Sequence, residues 1–211
     1  MTNDQIKILG ISGSPRLGST DFAVNEALRY AREKYNVKTD YFSAHKKNIK
    51  FCIHCDLCVR KKEGKCAHKD DDVSQELFQK LVWADAWIIG SPVYQGNVSA
   101  QTKAILDRCR ALVAKDIHIF KNKVGGAIAS GGDRIGGQEP TIKTIIDFYI
   151  INFMLPVGGG SFGANLGGTI WSKDQKAEGT KEDEVGLKSI HKMVKRLAQL
   201  TIFLKSAKKD E

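Results

Sequence analysis

The tightest constraint on this chain is an alternation. Short apolar runs closed by Gly, Ser or Pro are separated by stretches whose apolar residues recur at helical spacing. Residues 6–11 read as a buried parallel strand. Residues 19–34 then read as a helix, with Phe22, Ala23, Ala27, Leu28 and Ala31 at the recurring positions. A second strand is expected at 37–42 and a third at 86–90, the latter ended by Ser91-Pro92. Between them, Asp70–Asp72 supply cap oxygens for a helix reaching about Trp83. Residues 99–113 read as a helix with Ala104, Ile105, Leu106, Cys109 and Leu112 near one face. A fourth strand spans 123–129, and Pro140 suits the first turn of a helix reaching about Phe153. The last strand falls at 155–157 or at 169–171. Residues 183–205 close the chain as a helix with Val185, Ile190, Val194, Leu197 and Leu200 inward.

Strands alternating with helices at this spacing predict an α/β fold, a doubly wound parallel sheet. Five strands favour the flavodoxin-like order over the longer dinucleotide fold. The expectation is one domain over residues 1–211, with residues 46–69 as a cysteine-rich loop insert. That insert is short of aliphatics, rich in Lys and holds four of the five cysteines. In such sheets ligands sit beyond the carboxyl ends of the strands. Three loops qualify, at 12–20, 91–97 and 130–138, and all are rich in Gly, Ser or Asn.

The chain has 211 residues, and 33 Lys and Arg against 24 Asp and Glu leave a net charge of +9. The positive charge is scattered, with local clusters at residues 46–50, 60–65 and 205–209. A solvated surface or attraction to an acidic redox partner accounts for it, and binding of nucleic acid is not expected. No run approaches the ~18 apolar residues that span a membrane. The opening MTNDQIKILG is neither a signal nor a transit peptide. The expected place is the cytoplasm, where thiols stay reduced and five cysteines point to metal or catalysis before disulfides.

The loop after the first strand, Ser12-Gly13-Ser14-Pro15-Arg16-Leu17-Gly18-Ser19-Thr20, meets a helix N-terminus. Unpaired N–H groups and a partial positive charge suit phosphate there. The hydroxyls of Ser12, Ser14, Ser19 and Thr20 can donate hydrogen bonds, and Arg16 can offer a charged fork. Ser19 stands where a nucleoside-triphosphate loop needs Lys, and no G-x-G-x-x-G follows the strand. A single terminal phosphate fits better.

Gly13-Ser14-Pro15-Arg16 with Ser19-Thr20 is one part of a longer pattern. Gly90-Ser91-Pro92-Val93-Tyr94-x-Gly96-x-Val98-Ser99-Ala100 follows, with Lys103 and Asp107-Arg108. Then come Ser130-Gly131-Gly132 and Gly136-Gly137-Gln138-Glu139. In order and spacing this resembles the NADPH-dependent FMN reductase family, which is flavodoxin-like and binds flavin mononucleotide (FMN). The resemblance implies that Ser12, Ser14, Arg16, Ser19 and Thr20 hold the phosphate. Pro92, Val93, Tyr94, Gly96 and Asn97 would line the isoalloxazine, and Ser130, Gly131, Gly132 and Gly137 would close over its edge. Pro15 and Ser91, in the same loops, count among the expected cofactor-binding residues.

Cys52-x2-Cys55-x2-Cys58-x7-Cys66 is the strongest chemical signal in the chain. Four thiolates are the usual ligands of a [4Fe–4S] cluster. Structural zinc is the main rival, although zinc sites pair two well-separated C-x-x-C knuckles and three consecutive steps favour iron–sulfur. Cys109 sits amid apolar helical positions and is expected to be a buried structural thiol. His54 and His68 are expected to be exposed and not ligands.

The cysteine motif inserted after the second strand, together with the FMN loops, resembles the iron–sulfur flavoprotein family of anaerobic archaea and bacteria. That resemblance implies a homodimer or homotetramer, a one-electron donor such as ferredoxin, and a small-molecule acceptor reached through the flavin. The expected activity is that of an FMN-dependent oxidoreductase, with the cofactors carrying the chemistry and no side chain assigned a catalytic role. The basic clusters at 46–50 and 60–65 flank the cysteines, as steering of an acidic ferredoxin would need. Two rivals stay open: an NAD(P)H-dependent FMN or quinone reductase with structural cysteines, and a cluster-based redox sensor.

Overall fold

A computed structural model describes residues 5–163 and 165–207. The first four residues, and positions 208 and 209 of the last basic cluster, lie outside them. The sheet order is β2-β1-β3-β5-β6, all parallel, with β1 at Lys7–Ser12, β2 at Lys38–Ser43, β3 at Ala86–Tyr94, β5 at Val124–Gly131 and β6 at Leu155–Val157. Two further strands are added to it. β4 (Asn97–Val98) folds back antiparallel on the end of β3, and β7 (Gly168–Trp171) runs parallel to β5.

Side chains along β1 and β3 alternate between two cores, as the pleat requires. Leu9, Ile11, Trp87 and Ile89 face one layer, whereas Ile8, Ala86 and Ile88 face the other. The second layer is covered by α1 (Ser19–Tyr35) and α8 (Glu184–Ala207) through Val24, Leu28, Met193 and Leu197. The first is covered by α3 (Phe78–Trp83), α4 (Ala100–Arg108), α5 (Arg110–Val113) and α6 (Gln138–Ile151). This is the doubly wound arrangement that the alternation predicts. No helix among the described residues is long and apolar enough to cross a membrane.

Several boundaries depart from expectation. β3 does not end at Ser91-Pro92 but runs on to Tyr94. Pro92 is tolerated because β1 pairs with β3 only as far as Gly90 and β4 only from Val93, so at Pro92 the strand has β5 as its one neighbour, as at an edge. Gln95 and Gly96, at φ 50° and 78°, then turn the chain as in a tight hairpin. The last sheet position is filled twice. β6 pairs with Val124–Gly126 and β7 with Ile128–Gly131, so both candidate last strands form.

The helix expected at 99–113 breaks at Cys109 into α4 and α5. The segment after residue 70 starts as a π-helical turn, Val73–Leu77, ahead of α3. There the cap oxygen is that of Asp71, which accepts from Ser74 N at 3.0 Å. At the start of α8, Val185 points to solvent, because Asp183 accepts from Gly186 N at 3.1 Å and Trp171 N at 2.8 Å and sets the helix phase. Two short helices had no periodic signal: α2 (Leu57–Lys61), inside the insert, and α7 (Lys176–Lys181).

Candidate functional site

A cleft of about 310 Å³ opens at the carboxyl ends of β1, β3, β5 and β7. Its walls include Ser14, Arg16, Ser19 and Thr20 from the first loop, Pro92, Val93 and Tyr94 from the second, and Ser130, Gly131 and Gly132 from the third. Ten of the sixteen residues expected to hold a cofactor therefore line one space. Thr20 Oγ1 and Ser130 Oγ are in hydrogen-bond contact and tie the first loop to the third. Gly137 brings the second and third loops together. Its φ of 106° is left-handed, and a Cβ there would fall 2.9 Å from Gly96 Cα.

The other expected residues lie outside this lining, Gly96 and Asn97 exposed and the rest behind or beside it. Ser12 and Ser91 are fully buried. Ser91 Oγ accepts from Ser99 N at 3.0 Å and Thr102 Oγ1 at 3.0 Å. Ser99 Oγ donates to Gly13 O at 2.7 Å, so this small network fixes the first loop on the start of α4. Pro15 O lies 3.0 Å from His45 Nδ1. Asn97 Oδ1 accepts from Thr144 Oγ1 at 2.8 Å. Gly96 and Gly137 meet beside Val93.

The cleft has a fourth wall that the sequence reading missed. Ser172, Asp174 and Lys176 line it from the turn after β7, and Gly18 from the first loop. Lys173, Asp174 and Lys176 all have left-handed φ between 51° and 55°. A signal was available, because the rule that ligands sit beyond strand ends applies equally to the loop after the last strand.

The first loop has the chemistry of an anion site. α1 is 17 residues long, and Gly18 at its N-cap gives no side-chain oxygen to the first-turn N–H groups. Asp21, the one acidic residue of that turn, is turned away, its carboxylate accepting from the Tyr41 hydroxyl and from Ser43 Oγ. The mouth of the helix therefore has no side-chain acceptor of its own, and Arg16 and Lys176 bring positive charge to a cleft whose lining carries one carboxylate, Asp174. A phosphorylated planar cofactor fits this donor set.

The cysteine segment leaves the sheet beside the same loop. Ala44 N donates to Ser12 O at 2.8 Å, and His45 contacts Pro15 as above. Within it, His54, Asp56, Lys62 and Gly64 have φ between 52° and 75°. Left-handed non-glycine residues cost about 1–3 kcal/mol each and concentrate at functional sites. All four cysteines are free thiols, Cys58 buried, Cys52 and Cys66 half-buried and Cys55 exposed. Two guanidiniums border the segment: Arg110 Nη2 donates to Asp56 Oδ1 at 2.7 Å, and Arg108 donates to Lys50 O at 2.8 Å and His68 O at 3.1 Å. This donor set, free thiols beside cations, suits a thiolate-held metal group. The structure does not draw the thiols together, however: among the described residues no three His, Cys, Asp or Glu side chains converge as a ligand set.

His54 is exposed, as expected, but His68 is half-buried and its Nε2 is enclosed without a partner. Cys109 is 2% exposed, and burial pushes its thiol up to about 12. In folded, metal-free protein near pH 8, iodoacetamide is expected to label Cys55 and to leave Cys109 unmodified until denaturant is added. Mass spectrometry reads this directly, and early labelling of Cys109 would contradict its structural role.

Comparison with known proteins agrees with this geometry. The NADPH-dependent FMN reductase family matches residues 6–169. An iron-sulfur flavoprotein of Methanocaldococcus jannaschii is 56% identical over 195 residues, covering 92% of this chain and 96% of the relative. Another, from Archaeoglobus fulgidus, is 52% identical over 193 residues, covering 92% and 96%. Among solved structures, RosB with bound 8-demethyl-8-formylriboflavin-5'-phosphate superposes with a TM-score of 0.69 at 18% identity, covering 95% of this chain and 81% of that one. A WrbA-like flavodoxin from Agrobacterium tumefaciens gives 0.60 at 17% identity, covering 94% and 98%. At such identities the solved structures establish the flavodoxin-like fold alone. The sequence matches carry the rest, an FMN-dependent oxidoreductase, and the chain belongs to the iron-sulfur flavoproteins within the NADPH-dependent FMN reductase family.

Proposed function

We propose that this chain takes electrons singly from ferredoxin or a similar donor, and passes them through a [4Fe–4S] cluster on Cys52, Cys55, Cys58 and Cys66 to FMN and on to a small-molecule acceptor. The observation that carries the reading is a juxtaposition. An uncapped helix N-terminus opens a cleft at the strand ends, and a segment with four free cysteines starts at the loop that forms that cleft.

Within this reading the cluster supplies single-electron transfer, and FMN supplies both single and paired transfer. The chain's own residues bind and orient. Arg16, Ser14, Ser19, Thr20 and the first-turn amides of α1 hold the phosphate. Pro92, Val93 and Tyr94 offer a flat apolar edge to the ring, with Tyr94 38% exposed at the rim. Backbone at Ser130, Gly131 and Gly132 closes the other side without side-chain bulk.

A homodimer or homotetramer is supported by apolar surface left uncovered in one chain: Phe51, Ile53 and Val59 on the cysteine segment, and Ile150, Ile151 and Phe153 at the end of α6. For the donor, Lys47 and Lys65 are engaged by Asp72, Glu76 and Glu63, so steering falls to the other basic residues of the two clusters.

Protein purified without oxygen is expected to contain about four irons, as many sulfides and one FMN per chain, with an electron paramagnetic resonance signal after reduction. Zinc in place of iron sinks the relay. The family's own description favours a second reading, an NADPH-driven reductase with structural cysteines. Rapid anaerobic bleaching of the flavin band by NADPH would decide for it.

A further inference from the structure

One buried guanidinium joins the two ends of the cysteine segment. Arg108, the last residue of α4, is 1% exposed. Its Nη1 donates to Lys50 O at 2.8 Å and to the Asp71 carboxylate. Its Nη2 donates to His68 O at 3.1 Å, to Asp71 Oδ1 at 3.0 Å and to Ser74 Oγ at 2.8 Å. The acceptors are themselves cross-linked. Asp71 Oδ2 accepts from Lys50 N at 3.1 Å, and Ser74 Oγ donates to His68 O at 2.6 Å. Residues 50 and 68 bracket all four cysteines, so both flanks of the segment meet at one side chain carried by the opposite helix. The Nε–H of Arg108 is enclosed without a partner.

A buried ion pair is weak evidence for stability, since an apolar pair of the same volume often does as well. What Arg108 provides instead is a planar fork whose donors reach several acceptors at fixed angles, which neither Lys nor an apolar residue reproduces. Metal binding must otherwise close the loop of ligands itself, and that entropy is subtracted from the affinity.

We propose that Arg108 is a positioning residue: with Asp71 it clasps the two ends of the cysteine segment before metal enters. The clasp does not depend on the cluster reading above.

The test uses the full chain with two variants. Arg108→Lys keeps the charge and loses the fork. The double variant Arg108→Met with Asp71→Asn removes both charges, so no unpaired ion is left buried. In iron-free, FMN-loaded protein, hydrogen exchange of peptides spanning residues 45–75 is expected to rise about tenfold or more in both variants. Peptides from β1, β3 and β5 should stay unchanged, with FMN content at the wild-type level. After anaerobic reconstitution both should retain less iron than wild type. Unchanged exchange at 45–75, or an equal rise throughout the sheet, overturns the clasp. If wild type itself takes up no iron, the relay reading fails and the exchange experiment still decides the clasp.

Discussion

Arg16→Ala is expected to weaken FMN binding about ten- to hundredfold while leaving the protein folded. Arg16 is exposed at the mouth of the cleft, and it is the one guanidinium there. A hydrogen bond to a charged group is worth about 1.5–3 kcal/mol, which converts to that range of affinity. Stability should change by no more than about 0.5 kcal/mol, because nothing is packed on an exposed side chain of this kind. Arg16→Lys should restore part of the loss, since it returns the charge but not the two-pronged geometry. Flavin fluorescence quenching, titrated at fixed salt, measures both. An unchanged dissociation constant in Arg16→Ala would take the phosphate away from the first loop.

The largest effect on stability is expected from Trp87→Ala. Trp87 is fully buried on β3, packed edge-on to Phe120 with ring centroids 4.7 Å apart and stacked near Phe148 at 6.4 Å. Its Nε1 donates to Leu81 O at 3.2 Å. Truncation empties the centre of the layer between the sheet and α3–α6 and leaves that carbonyl short of a donor. Such changes cost about 3–5 kcal/mol. In a chain of this length the loss lowers Tm by roughly 6–20 °C. Melting should be followed on cofactor-free protein, because bound FMN would mask part of the shift. Trp87→Phe keeps most of the contact area and should lose much less. Equal losses from the two would mean that the indole N–H, and not the packing, holds this layer together.

Much of the cleft is legible in the sequence alone. The loops at 12–20, 91–97 and 130–138 were recognisable because each follows an apolar strand, and strand ends in a doubly wound sheet share one edge. The missing wall at Ser172, Asp174 and Lys176 was hidden by an undecided strand. With residues 155–157 and 169–171 competing for a single position, the loop after the second could not be placed at the same edge. Pro92 was misread for a related reason. Local chemistry marks Pro as a strand end, and only the shorter length of β1 shows that β3 has lost one neighbour by that point. Val185 illustrates the limit of periodicity, since one carboxylate, Asp183, set the phase of α8.

By itself the sequence determined the layer order, the two cores and the four thiols, because those depend on residue type at fixed spacing along the chain. Tertiary structure alone decided which hydroxyls face the cleft and which, like Ser91, lie beneath it. It also placed Arg108, separated from Lys50 by 58 positions, at the junction of both flanks of the cysteine segment. Such contacts join residues far apart in sequence, and no periodic pattern records which of many possible partners a buried charge will meet.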